Sequence, residues 1–376
     1  MSDSTVEQLA QFGQSIWFDN ISRSLIESGR LQELIALGVR GVTSNPTIFD
    51  NAISSSSDYD EKIRELHNGG KSTFEIYDDL TIRDIQDAAD MFKPVYEKTN
   101  GLDGYVSLEI NPELAYKTQE TIEEGKRLHK KVDRPNLMLK VPATEDGFGA
   151  IEALLGEGIN VNITLIFSLD QYIKTAQAYL GGLNRLLEKQ GDISRVASVA
   201  SVFISRIDTA ADKMIDDAMA KQTDDAATRK LESLKGKAAV ANSHLIYNKH
   251  LELFSHESFG PLANKGARVQ RVLWGSTGTK DPAYSDIKYV TELIAKNTVN
   301  TVPDKTFEAF LDHGVVEEAM TAGAEQSQGT VDALKGYGID VDFICAKLLE
   351  DGAASFTKSF QSLLSTIERT ASEMSV

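Results

Sequence analysis

Short runs of apolar and β-branched residues recur along the chain, and longer stretches with helical spacing separate them. The runs are Ser15–Asp19, Gly41–Asn45, Tyr105–Glu109, Leu137–Val141, Val161–Ile166, Val196–Phe203, Val269–Trp274 and Val299–Val302. Runs of this length rich in β-branched residues read as strands. Between them, residues 22–37 put Leu25, Ile26, Leu31, Leu34 and Ile35 on one helical face, and residues 145–156 and 170–188 read the same way. Strands alternating with helices predict βαβ units and a parallel sheet, with right-handed crossovers. Eight such units favour a closed (β/α)8 TIM barrel over an open doubly wound sheet.

A barrel of this kind needs about 250 residues, and the chain has 376. The surplus falls in three places: residues 46–73, a helical insertion at about 220–268, and a helical appendage at about 315–376. In the appendage Ile344, Leu348, Leu349, Phe360, Leu363 and Leu364 form apolar stripes. No repeat or linker divides the chain, so residues 1–376 read as a single barrel domain with additions.

Composition narrows the function. The formal net charge of −17 opposes binding to nucleic acid or to an anionic membrane surface, both of which need basic faces. It leaves room for a small anion held by one or two cations in a cleft. A lone cysteine, Cys345, permits no intrachain disulfide. The N-terminus lacks the basic and apolar regions of a signal peptide, and no apolar run reaches membrane-spanning length. The expectation is a soluble cytoplasmic protein, with monomer and homodimer both open.

Polar residues break the apolar runs in a regular place. Asp19, Asn45, Glu109, Lys140 and Thr164 stand at or near the ends of the first five runs, and Ser201 near the end of the sixth. The C-terminal ends of barrel strands are where chemistry is built. Lys140 lies between Leu137-Met138-Leu139 and Val141-Pro142. Desolvation there disfavours the ammonium and frees the amine to attack a carbonyl. The plain alternative is a lysine that snorkels to solvent. Asp19 and Glu109 would supply the proton transfers of a Schiff-base reaction; their structural alternatives are a helix cap and a salt bridge. Asn45, Asn162, Thr164 and Ser201 suit sugar hydroxyls or a catalytic water, or else backbone groups at turns. Arg206 follows the sixth run, and Lys280 ends the Gly-rich stretch Gly275–Lys280 after the seventh. Loops after the late strands of a barrel often hold phosphate.

Other chemistries have little support. No GxGxxG, P-loop or nucleophile elbow is present. The six histidines fall away from strand ends, and His244 and His250 are six apart, so no metal is expected. No cofactor is expected either.

Three segments carry a resemblance. Thr43-Ser44-Asn45-Pro46-Thr47, Leu139-Lys140-Val141-Pro142-Ala143-Thr144 and the stretch from Gly158 to Ser168, with its Asn162-Ile163-Thr164-Leu165, resemble the transaldolase family in the expected order. The likeness runs from about residue 15 to about 314. The long chain and the Trp274–Lys280 loop resemble its longer-chain bacterial branch. The resemblance implies a cofactor-free transferase of the non-oxidative pentose phosphate pathway. It would move a dihydroxyacetone unit from sedoheptulose 7-phosphate to glyceraldehyde 3-phosphate, giving erythrose 4-phosphate and fructose 6-phosphate. It implies Lys140 as the Schiff-base lysine, Asp19 as the acid/base, and Glu109 acting through a water held by Thr164. Asn45, Asn162 and Ser201 would bind the dihydroxyacetone portion, Phe203 would line the site, and Arg206 would hold the phosphate. The better-known branch has an Arg after the seventh strand, where Lys280 is the nearest cation here. Relatives that cleave fructose 6-phosphate outright carry Tyr at the position of Phe203 and Gln at that of Glu109, so this chain favours transfer. Two alternatives stay open: an aldolase that releases free dihydroxyacetone, and a sugar-phosphate-binding regulator without turnover.

Overall fold

The computed structural model describes residues 4–373. Eight parallel strands close into a barrel in sequence order: β1 (Gln14–Phe18), β2 (Gly41–Val42), β3 (Tyr105–Glu109), β4 (Leu137–Pro142), β5 (Val161–Ile166), β6 (Ser198–Phe203), β7 (Arg271–Gly275) and β8 (Thr298–Val302). The fold is the (β/α)8 barrel that the alternation predicts. Strand positions differ from the apolar runs mainly at β2, which stops at Val42. The chain then turns so that Asn45 caps the helix Pro46–Ser54, whose first residue is the proline that ends the run. The single helix expected over 22–37 is two, Arg23–Glu27 and Arg30–Ala36. Gly29 adopts φ +81° between them, a left-handed conformation that interrupts the helix.

Strand parity divides the side chains. Leu139, Val141, Ile163, Ala200 and Val202 face out and pack under the surrounding helices. Facing in, Trp17, Tyr105, Met138, Val199, Leu273 and Val299 form a plug toward the N-terminal end. Two residues further along the same files the character changes: Trp17 is followed by Asp19, Met138 by Lys140, Val199 by Ser201 and Val299 by Thr301. The lower barrel is thus a packed core, and its upper end is polar.

The extra segments are helical. Residues 220–268 contain helices Asp225–Glu232, Ala238–Leu253 and His256–Ala263. The appendage contains Ala324–Gly336 and the long Val341–Glu373. In the long helix Ile344, Phe360 and Leu363 are buried, while Leu348, Leu349 and Leu364 are half-buried against the core. This helix packs along Pro46–Ser54 and touches β5, so it lies beside the polar end of the barrel. Among the described residues no helix is long and apolar enough to cross a membrane.

Candidate active site

Strand β4 is buried along its whole length, and Lys140 is only 4% exposed despite its charge. It does not snorkel. Its Nζ donates to the carbonyl of Ser44 (3.0 Å) and lies 3.4 Å from Glu109 Oε2. The pairing follows from register, because Glu109 of β3 sits opposite Lys140 of β4. Burial pushes the Glu109 carboxyl up to about 7; Lys140 opposes that rise and Asp19 adds to it. Glu109 Oε2 accepts no hydrogen bond from the described residues, and neither does the buried Thr164 hydroxyl find a partner. Two buried polar atoms without partners in one site are uncommon.

Asp19 follows β1 and faces the same cavity as Lys140. It caps no helix, since Ser22 caps Arg23–Glu27. Thr43 donates to Asp19 Oδ1 (2.7 Å) and also meets the Thr301 hydroxyl (2.7 Å). Burial raises the Asp19 pKa, while Lys140, the Thr43 bond and Lys280 hold it down.

Beside Lys140, whose register partner on β5 is Asn162, a hydrogen-bonded row links β3, β5 and β6. Ser201 donates to Asn162 Oδ1 (2.6 Å), and Asn162 donates to Ser107 (3.0 Å). Ser201 and Thr164 line the open cavity, whereas Asn162 and Glu109 do not reach it. Next to Thr164 the strand bulges: Leu165 takes φ +58° and the β5–β6 register shifts between Ile163 and Ile166. Such bulges re-aim neighbouring side chains.

The cavity holds about 210 Å³. Its far side is cationic. Arg206, half-buried at the start of the helix Ser205–Met219, lies over the Phe203 ring (5.7 Å) and has no ion pair among the described residues. Its burial lowers its pKa from the ordinary value. Lys280 and the backbone of Ser276–Gly278 complete that wall. Ser276 holds φ +54° without being glycine, which shapes the turn around the cavity.

All ten sequence-predicted residues therefore gather at one end of the barrel. The structural alternatives of Glu109 and Asn45 also hold: Glu109 forms the ion pair with Lys140, and Asn45 Oδ1 accepts from Ile48 N (2.9 Å) as a helix cap. The Asn45 side chain also borders the cavity. Sequence reasoning missed Thr43, Ser107, Thr301 and Phe356. Thr43 and Ser107 stand two residues before Asn45 and Glu109, so strand parity was a usable signal. Phe356 had none, since an aromatic on an apolar helix face reads as core.

Residues 16–367 match the family model described as Transaldolase/Fructose-6-phosphate aldolase. The transaldolase of Saccharopolyspora erythraea is 47% identical over 368 residues, covering 97% of each chain. That of Trichodesmium erythraeum is 45% identical over 364 residues, and transaldolase 2 of a Nostoc species 44% over 365, each covering 96% of both chains. The chain belongs to the transaldolase/fructose-6-phosphate aldolase family.

Proposed function

We propose that this protein is a cytoplasmic transaldolase of the pentose phosphate pathway, acting on sugar phosphates through a Schiff base on Lys140. The observation that carries the reading is a buried lysine facing a cavity, 3.4 Å from a carboxyl whose pKa sits near neutrality. A lysine placed there for stability alone would have a fully ionised, fully hydrogen-bonded partner.

The steps follow from the groups present. The Lys140 amine adds to the ketose C2, and the carbonyl oxygen takes a proton. Loss of that oxygen as water leaves an iminium. Glu109, poised near pH 7, exchanges these protons through a water that it shares with the Thr164 hydroxyl. Asp19 then takes the proton of the C4 hydroxyl. The C3–C4 bond breaks, its electron pair moves into the iminium to give an enamine, and the aldehyde leaves. An acceptor aldehyde reverses the sequence: the enamine carbon attacks its carbonyl, Asp19 returns the proton, and water releases the ketose. Asn45, Asn162 and Ser201 hold the three-carbon unit. Phe203 lines the wall, while Arg206 and Lys280 hold the phosphate.

Borohydride reduction in the presence of fructose 6-phosphate, followed by peptide mass mapping, tests the proposal. A reduced three-carbon adduct on Lys140 is expected. Folded protein that binds the sugar and gives no adduct would instead favour a binding protein. Omitting the acceptor aldehyde separates transfer from release of free dihydroxyacetone.

A further inference from the structure

We propose that Phe356, on the C-terminal helix, limits the size of the fragment that Lys140 carries, an inference that rests on the Schiff-base reading above. The helix Val341–Glu373 approaches β5 at Gly352, where a Cβ would lie 3.0 Å from a Leu165 side-chain carbon. Glycine allows the close contact, and Leu165 is the bulged residue beside Thr164. Phe356 comes four residues later and therefore shares that face. It is 4% exposed, borders the cavity, and its ring centroid is 5.9 Å from Lys140 Nζ. Further along, Ser359 bonds Thr47 (2.8 Å) and Gln361 bonds Glu113 (3.1 Å). The helix thus runs across the mouth, from the helix Ser205–Met219 after β6 to Pro46–Ser54 after β2, with Phe356 between them. The phosphate-side cations, Arg206 and Lys280, follow β6 and β7.

That placement assigns directions to the imine carbon's two substituents. C3 leads to the cleaved bond and the phosphorylated chain, so it runs toward Asp19, Arg206 and Lys280. C1 points the other way, toward Phe356. C1 lies two bonds, about 2.5 Å, from Nζ. Directed at a centroid 5.9 Å away, it is already at van der Waals contact with the ring. Its hydroxyl must turn aside, and Asn45 borders the same cavity. A further carbon on C1 would overlap the ring.

The test is a competition. Wild type, Phe356→Ala and Phe356→Leu are each reduced with borohydride in an equimolar mixture of dihydroxyacetone and 2,4-dihydroxypentan-3-one, which carries a further carbon on both sides of the carbonyl and therefore on C1 in either orientation, and the two adduct masses on the Lys140 peptide are counted. The expected result is a strong preference for dihydroxyacetone in wild type. That preference should shift toward the longer ketone by about tenfold or more in Phe356→Ala. Phe356→Leu, which keeps most of the packing volume, should shift it less but in the same direction. An unchanged ratio in both variants, or an equal loss of both adducts, overturns the inference and leaves Phe356 a packing residue. Absence of any wild-type adduct overturns the Schiff-base reading itself, and this inference with it.

Discussion

Two buried ion pairs occupy opposite ends of this barrel, and they are built differently. Near the N-terminal end Arg271 Nη2 meets Asp103 Oδ1 at 3.1 Å. Asp103 also accepts from Trp17 Nε1 (3.1 Å) and Ser15 Oγ (2.7 Å), so both its oxygens are bonded. At the C-terminal end Lys140 and Glu109 are as deeply buried, yet Glu109 Oε2 has only the 3.4 Å ion pair. Burial of charge is common to both. What differs is how completely hydrogen bonds satisfy the carboxylate, which decides whether a proton stays put or can move. The lower carboxylate is bonded through both oxygens, whereas the upper one keeps an oxygen that has only the ion pair.

The comparison breaks most visibly at Lys140. Lys140→Ala should abolish transfer while the protein keeps its fold, because Glu109 can take up a proton when its partner is gone. Steady-state transfer and a circular dichroism melt check this; near-normal turnover would remove Lys140 from the chemistry. Glu109→Gln should lower kcat by about 10²–10⁴-fold, the usual loss of a general acid–base.

The same substitution sharpens the electrostatic side. The folded Glu109 value, about 7, lies above its unfolded 4.5, so the cost of keeping the ionised carboxylate buried is absent below about pH 4.5 and grows as pH rises toward 7. Glu109→Gln should remove that slope, of up to roughly 3 kcal/mol, from stability measured against pH. An unaltered slope would show that Glu109 ionises normally in the fold.

Arg271→Ala makes the opposite expectation. It strands the Asp103 carboxylate and should cost about 3–5 kcal/mol in denaturant unfolding, with turnover per folded molecule retained. Equal stability losses at Lys140 and Arg271 would erase the distinction drawn between the two pairs. Thr43→Val is subtler. Removing the bond that holds Asp19 down should move the acidic limb of the kcat/KM profile to higher pH, because Asp19 must be ionised to take the hydroxyl proton. The smallest effect belongs to Lys280→Gln. An exposed cation of this kind contributes about 0.2–1 kcal/mol, so KM for a phosphorylated donor should rise by no more than about fivefold.

The barrel and the gathering of the candidate residues at one end of it are legible in the pattern of the chain. Apolar runs alternating with helical stretches dictate parallel strands, and a polar residue near the end of each of the first six runs marks where candidate chemistry gathers. Asp19, Glu109, Lys140 and Thr164 were legible because a two-residue period leaves few places for a side chain to point. Tertiary structure decided what no local pattern encodes. Register put Glu109 opposite Lys140, and the left-handed Leu165 bulge shifted the β5 register beside Thr164. The helix Val341–Glu373 brought Phe356 to a lysine more than two hundred residues earlier in the chain. A phenylalanine on an apolar helical face has the same local signature whether it fills a core or walls an active site. Only the packing of that helix across the barrel mouth distinguishes the two.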